Sequence, residues 1–146
     1  MSQKFRPGVL WGKEVREVFE DAQANGYALP AGAAYRAGVH LQDERTGESY
    51  DFRNRSDVAY QSVMLPEDAD EIFKDRQYLW NRIESAEKRK DAQVAKDVVL
   101  ALPKELDISK QIDLARNFSH NHFVRHGLAV DIAIHDHGDG NPHAHL

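Results

Sequence analysis

The sequence predicts an α+β fold, a β-sheet with helices packed on one of its faces. Three observations carry this expectation. Apolar residues recur at helical spacing in two central stretches. Side chains alternate with period two in 128–135, "LAVDIAIH". The segments also run in the order strand, helix, strand, helix, strand. At 146 residues, 41% hydrophobic and 29% charged, the chain is sized for one water-exposed domain with a real core.

The elements follow in order. Residues 9–24, "VLWGKEVREVFEDAQA", place Trp11, Val15, Val18, Phe19 and Ala22 on one helical face. "NGYALPAG" at 25–32 breaks it, and a short Ala-rich helix starts near Pro30. "DERTGESYDF", 43–52, reads as a hairpin or loop around Thr46-Gly47. Val58–Leu65 is a strand closed by Pro66. Asp68 is placed to cap a helix running to about residue 89, with Ile72, Phe73, Leu79, Trp80, Ile83 and Ala86 facing inward. "VAKDVVLALP", 94–103, reads as a strand stopped by proline. Asp107 is placed to cap a helix buried through Ile108, Ile112, Ala115, Phe118 and Phe123, which ends near Gly127.

Composition excludes some chemistries. There is no cysteine, so disulfides and thiolate metal sites are ruled out. No apolar run approaches the ~18 residues of a membrane span. The first residues lack the apolar block of a signal peptide, so the default expectation is a cytoplasmic protein with no membrane partner. A net charge of −5 argues against a general nucleic-acid coat but leaves room for a local basic surface.

Chemistry concentrates at the C-terminal end, where seven of eight histidines fall between His120 and His145. In 128–135, Leu128, Val130, Ile132 and Ile134 point one way and Ala129, Asp131, Ala133 and His135 the other. "DHGDGNP", 136–142, is a dense turn signal. His143, Ala144 and His145 then resume an extended path. If the two segments pair as antiparallel neighbours, His135, His143 and His145 converge on one side of the sheet. Three neutral imidazoles form a facial cap on a divalent ion and leave positions open for water or substrate. Ligand preference favours Zn, Cu, Fe or Ni over Mg or Mn, a balance that a substrate phosphate can shift. Asp131 shares the face but lies about 13 Å away, too far to be a co-ligand. Asp136 and Asp139 fit either as acceptors for ligand N–H groups or as turn formers. His137 reads as a solvated turn residue, and His120, His122 and His126 as surface residues. A flexible, weakly metal-binding tail is the plain alternative for the whole cluster.

Four blocks, "AAYRAGVHLQDERTGESYDF", "VMLPEDA", "LWNRIESAEKRKDAQVAKDVVLALPKEL" and "IAIHDHGDGNPHAHL", together resemble the MobA/MobL family of plasmid mobilisation relaxases, also found as the N-terminal domain of TraA-type transfer proteins. The resemblance runs from about Ala33 to Leu146. It implies an HUH endonuclease, named for two histidines around a hydrophobic residue, here His143-Ala144-His145, with an antiparallel sheet flanked by helices. It implies nicking of one DNA strand at a transfer origin by a tyrosine hydroxyl, with a 5′-phosphotyrosine link and a free 3′-hydroxyl as products. By that resemblance His135, His143 and His145 bind a divalent metal ion, Mg or Mn in the family with Zn as the other option, and Tyr35 is the nucleophile. Taken alone, Tyr35 on an Ala-rich helix reads as a packing residue. Free tyrosine, with a pKa near about 10, needs a base or a nearby cation to attack at neutral pH.

DNA contacts are expected from Arg36, beside Tyr35, and from Lys88, Arg89 and Lys90 in the densest basic run, "EKRKDAQVAK", which ends on Lys96. That run also reads as the solvated end of a helix. Arg53 and Arg55 are weaker candidates. Partners implied are single-stranded transfer-origin DNA and relaxosome accessory proteins. Two departures from the family pattern stand out. Residues 1–29 read as an atypical helical segment where the family opens with a central strand, and the chain stops just after the H-x-H motif. The expectation is therefore an incomplete sheet, with 30–146 as a partial relaxase domain. Two other functions remain open, a non-catalytic piece that binds metal or a relaxosome partner and an unrelated metal-dependent hydrolase.

Overall fold

The computed structural model describes residues 29–86 and 95–146. The helix expected at 9–24 and the candidates Lys88, Arg89 and Lys90 lie outside the described residues.

Helix α1, Leu29–Ala37, buries Pro30, Ala31, Ala33, Ala34 and Ala37. These small side chains let its backbone lie close to the layer beneath. Gly38 ends it with φ 66°, and its N–H returns to the Ala34 carbonyl at 2.9 Å. A Cβ here would meet Val58 Cγ2 at 3.1 Å, so both conformation and space call for glycine. Strands β1, His40–Gln42, and β2, Ser49–Asp51, form a hairpin, the first of the two readings of 43–52 although its first strand precedes that stretch, with Gly47 at positive φ in its loop.

Among the described residues, the main sheet has four antiparallel strands in the order β3, β5, β6, β4. They span Val58–Met64 (β3), Val99–Ala101 (β4), Val130–His135 (β5) and His143–His145 (β6). Of the strand expected over 94–103, Val99–Ala101 pairs with β6, and Val98 and Leu102 extend the pairing through bonds to Leu146 and the Pro142 carbonyl.

Helices cover both faces of the sheet, not one. Helix α3, Ile108–His122, packs with the 3-10 turn Val124–His126 on the face carrying Val130, Ile132, Ile134 and Ala144. Helix α2, Arg76–Ala86, packs Leu79 and Ile83 against Val63 and Ala129 of the other face. Trp80 joins α2 to the Ala33, Ala34 and Leu41 cluster under α1. The second layer arises because Asp131 is not a solvated residue. Its carboxylate accepts from Arg76 Nε and Nη2 at 2.8 and 2.9 Å and from Trp80 Nε1 at 2.8 Å. Arg76 and Asp131 side chains keep only 10% and 11% of their exposure. Satisfied in this way, a charged strand residue can be covered by a helix.

Two helices begin differently from expectation. The single helix from Asp68 is instead a 3-10 turn, Glu71–Lys74, capped by Asp70, followed by α2. Asp75 accepts from the Tyr78 N–H at 3.0 Å and starts α2. Successive local carboxylate caps compete with a continuous helix, which divides the segment. Asp107 caps α3 as expected, accepting from the Lys110 N–H. The buried stripe of α3, however, is Gln111, Ala115 and Ser119, and Ile108 is exposed. Gln111 is admitted because its amide donates to the carbonyls of Pro103 and Leu106.

Candidate metal and nucleophile site

Register decides the site. On neighbouring β5 and β6, His135 stands opposite His143, Ile134 opposite Ala144, and Ala133 opposite His145. Pleating then sends Ile134 and Ala144, both fully buried, to the α3 face. The three histidines meet on the other face. One nitrogen from each lies within 4.8 Å of the others, and the ring centroids are 4.7 to 5.5 Å apart. The connecting turn is built by Asp136, which accepts from the Gly138 N–H, and Asp139, which accepts from the Asn141 N–H. Both aspartates are therefore turn formers. Gly138 and Gly140 take the positive φ angles that the tight return requires.

Hydrogen bonds assign the tautomers. His135 Nε2 lies 2.7 Å from the Arg36 carbonyl, so it donates and leaves the Nδ1 lone pair free. His143 Nδ1 lies 3.0 Å from the Asn141 carbonyl, which frees Nε2. His145 Nδ1 faces Asp97 Oδ1 at 3.5 Å, and neither buried atom makes a hydrogen bond to any described residue. The pair is placed as a carboxylate supporting an imidazole would be, and a small approach of the two would complete the bond. Burial lowers the pKa of His135, an effect that the Arg36 carbonyl only partly opposes. Burial thus favours the neutral ring, which has a lone pair to offer. The donor set fits a divalent cation.

Helix α1 contributes twice. The carbonyl that receives His135 belongs to its last turn, where carbonyls lack intrahelical partners. The negative end of the helix dipole thus faces the imidazole cluster, which favours positive charge there. One residue earlier, Tyr35 is 53% exposed. Its ring meets Phe52 edge-on at 5.3 Å, and the Arg55 guanidinium lies over it at 4.3 Å.

The arginines near the site are already engaged. Arg36 Nε donates to Asp97 Oδ2 at 3.1 Å. Burial raises the Asp97 pKa, but His145 and Arg36 outweigh it, and the carboxyl falls below its ordinary range. Arg53 makes a two-pronged bond to Asp51 on the surface. Arg55 does the same with Asp57, with both side chains largely covered. Lys96 is half-buried just before β4. His120, His122 and His126 are exposed, and His137 is half-exposed, 3.4 Å from Asp57.

Sequence reasoning missed Asp97. The signal was present: alternation in 97–102 separates Asp97, Val99 and Ala101 from Val98, Leu100 and Leu102. Leu100 and Leu102 join the α3-side core, and Val99 pairs with His145, which assigns Asp97 to the histidine face. Asp57 carried no comparable signal, because its contacts depend on a loop folding back.

The chain matches the model of the MobA/MobL family over residues 29–146 and belongs to that family. It is 33% identical over 135 residues to "Conjugal transfer protein TraA" of Rhizobium radiobacter, covering 86% of this chain and 12% of that protein. It is 35% identical over 126 residues to "Probable mobilization protein MobA" of Bifidobacterium longum, covering 86% of this chain and 22% of that protein. It thus spans a small part of these relatives. A solved structure described as "Molecular Basis of Vancomycin Resistance Transfer in Staphylococcus aureus" superposes with a TM-score of 0.79 at 38% identity, over 85% of this chain and 63% of the other. Among the described residues, no helix is long and apolar enough to cross a membrane.

Proposed function

We propose that this chain carries the nicking site of an HUH-type relaxase, a strand-specific DNA nickase acting at a plasmid transfer origin. The observation that supports this reading best is the β5–β6 register, which gathers His135, His143 and His145 on one face beside the end of the helix bearing Tyr35. Family membership and relatives named for conjugal transfer and mobilisation agree with it.

In the proposed reaction the Tyr35 hydroxyl attacks the scissile phosphorus. An Oη–P bond forms, the bond to the 3′-oxygen breaks, and that oxygen takes up a proton as the phenol loses one. The ester retains the energy of the broken bond, so the reverse step rejoins the strand without ATP. His135, His143 and His145 would hold a divalent ion, Mg or Mn with Zn as the other option, which supplies positive charge to a non-bridging phosphate oxygen. Asp97 fixes the His145 ring, and the Asn141 and Arg36 carbonyls fix the other two. Because Arg36 is committed to Asp97, its role is to order that carboxylate, and phosphate contacts fall to other groups. Lys88, Arg89 and Lys90 remain the proposed DNA-binding run, and relaxosome proteins the proposed accessory partners.

The test is nicking of a supercoiled plasmid carrying the cognate transfer origin, with Mg or Mn. The wild-type chain should leave a DNA adduct on Tyr35, and Tyr35→Phe should leave none. A folded wild-type chain that leaves the plasmid supercoiled would overturn the nickase reading in favour of a non-catalytic metal-binding piece. Titration with Mn should give one site, weakened at least about tenfold in His143→Ala.

A further inference from the structure

Three contacts connect the nucleophile's helix with the histidine strand, one directly and two in series through the segment Arg55–Asp57. The first is His135 Nε2 on the Arg36 carbonyl. In the second, Arg55 Nη1 donates to the Tyr35 carbonyl at 2.7 Å while the guanidinium face covers the Tyr35 ring. Third, the Asp57 carbonyl accepts from the Asp136 N–H, the residue after His135, at 2.9 Å. The Asp57 carboxylate closes the frame by binding Arg55 through both Nε and Nη2.

We propose that Arg55 and Asp57 form a bracket that sets the position of the Tyr35 phenol relative to the imidazole cluster, with Arg55 as the positioning residue. This rests on the nickase reading above. Tyr35 needs such a device. It is half-exposed on a nine-residue helix whose buried face is small residues, with Phe52 meeting its ring in a T-shaped contact. Without Arg55 the ring is free to turn toward solvent. Arg55 suits the task because its planar fork satisfies Asp57 on one side, reaches the Tyr35 carbonyl with another nitrogen and stacks through its face. At 14% side-chain exposure and with these bonds made, it is occupied as a brace and not directed at DNA phosphates. A lysine, a point charge on a flexible stem, cannot do all three. Displacement of a reacting group by about 1 Å costs on the order of 100-fold in rate.

The experiment uses the full chain, wild type, Arg55→Lys and Asp57→Asn, with fluorotyrosine incorporated and the Tyr35 fluorine signal assigned through Tyr35→Phe. Both variants should shift that signal toward the position of free fluorotyrosine. Bound Mn should broaden it strongly in wild type and less in the variants, with Mn affinity within about twofold. In single-turnover nicking, the rate constant for the Tyr35–DNA adduct should fall about 10- to 100-fold, with DNA affinity within about twofold. A merely structural role would instead lower burst amplitude and melting temperature together and leave the rate constant of the surviving fraction unchanged. That pattern, or a fluorine signal unmoved by either substitution, overturns the bracket. If wild type forms no adduct, the nickase reading falls, and the fluorine comparison still decides whether the bracket fixes the ring. Should Arg55→Lys fail to fold, Asp57→Asn, nearly isosteric, carries the test.

Discussion

Asp97 shows how one side chain orders a site. It links Arg36, at the end of helix α1, to His145 on β6. Replacement by alanine should weaken Mn binding about 10- to 100-fold, the usual cost of removing a ligand's supporting acceptor, as read by calorimetric titration. Unchanged affinity would show that His145 is oriented by packing alone. Asp57 is a second case. The Arg55 hydrogen bond holds its carboxyl at about 2, against an ordinary 3.8. A depressed carboxylate stabilises the fold fully above its ordinary value, and the contribution is lost as pH falls through the depressed one. Urea midpoints should therefore drop between about pH 4 and pH 2, and Asp57→Asn should flatten that segment of the curve. Equal slopes in the two proteins would place the acid sensitivity elsewhere.

At the scale of elements, caps and chain reversals do most of the placement. Helix α3 starts where the Asp107 carboxylate meets the Lys110 N–H. Asp107→Ala should cost about 1 kcal/mol in chemical denaturation, with no effect on Mn binding, because α3 lies on the face away from the histidines. The β5–β6 connection matters in the opposite way. Its two aspartate turns and two positive-φ glycines fix the register at Ile134–Ala144. A slip of one residue would turn both β6 histidines into the core and bring Ala144 to the surface. The caps at Asp107 and the turn at 136–142 were legible from sequence because both are local chemistry. The division of the expected 68–89 helix by Asp70 and Asp75 was not read, since three nearby aspartates offered equivalent starts.

For the molecule as a whole, the two-sided sheet is the main consequence of tertiary structure. Alternation in β5 assigned Asp131 to the face opposite Ile132 and Ile134, and helices were expected on one face of the sheet only. Arg76 and Trp80, over fifty positions earlier in the chain, make that face an interior. Asp131→Ala leaves the Arg76 charge covered and unpaired, and should destabilise the protein by about 3–5 kcal/mol. Arg76→Met combined with Asp131→Leu should recover much of that loss in urea denaturation. A single-variant loss under about 1 kcal/mol would mean that α2 is held by Leu79 and Ile83 alone.

By itself the sequence determined what local physics fixes. Period-two patterning located β5, a run closed by Pro66 located β3, aspartate and glycine chemistry set the turns, and three histidines at pleat-compatible positions defined a donor set whose convergence needed only an antiparallel return. The tertiary structure decided which charges are free. Arg36, and more weakly Arg53 and Arg55, stood as candidates for phosphate, yet each is paired with a carboxylate. For Arg36 that partner lies sixty-one residues away. The difference is physical: strand alternation and capping depend on neighbours along the chain, whereas the availability of a charge depends on which opposite charge the fold brings within reach.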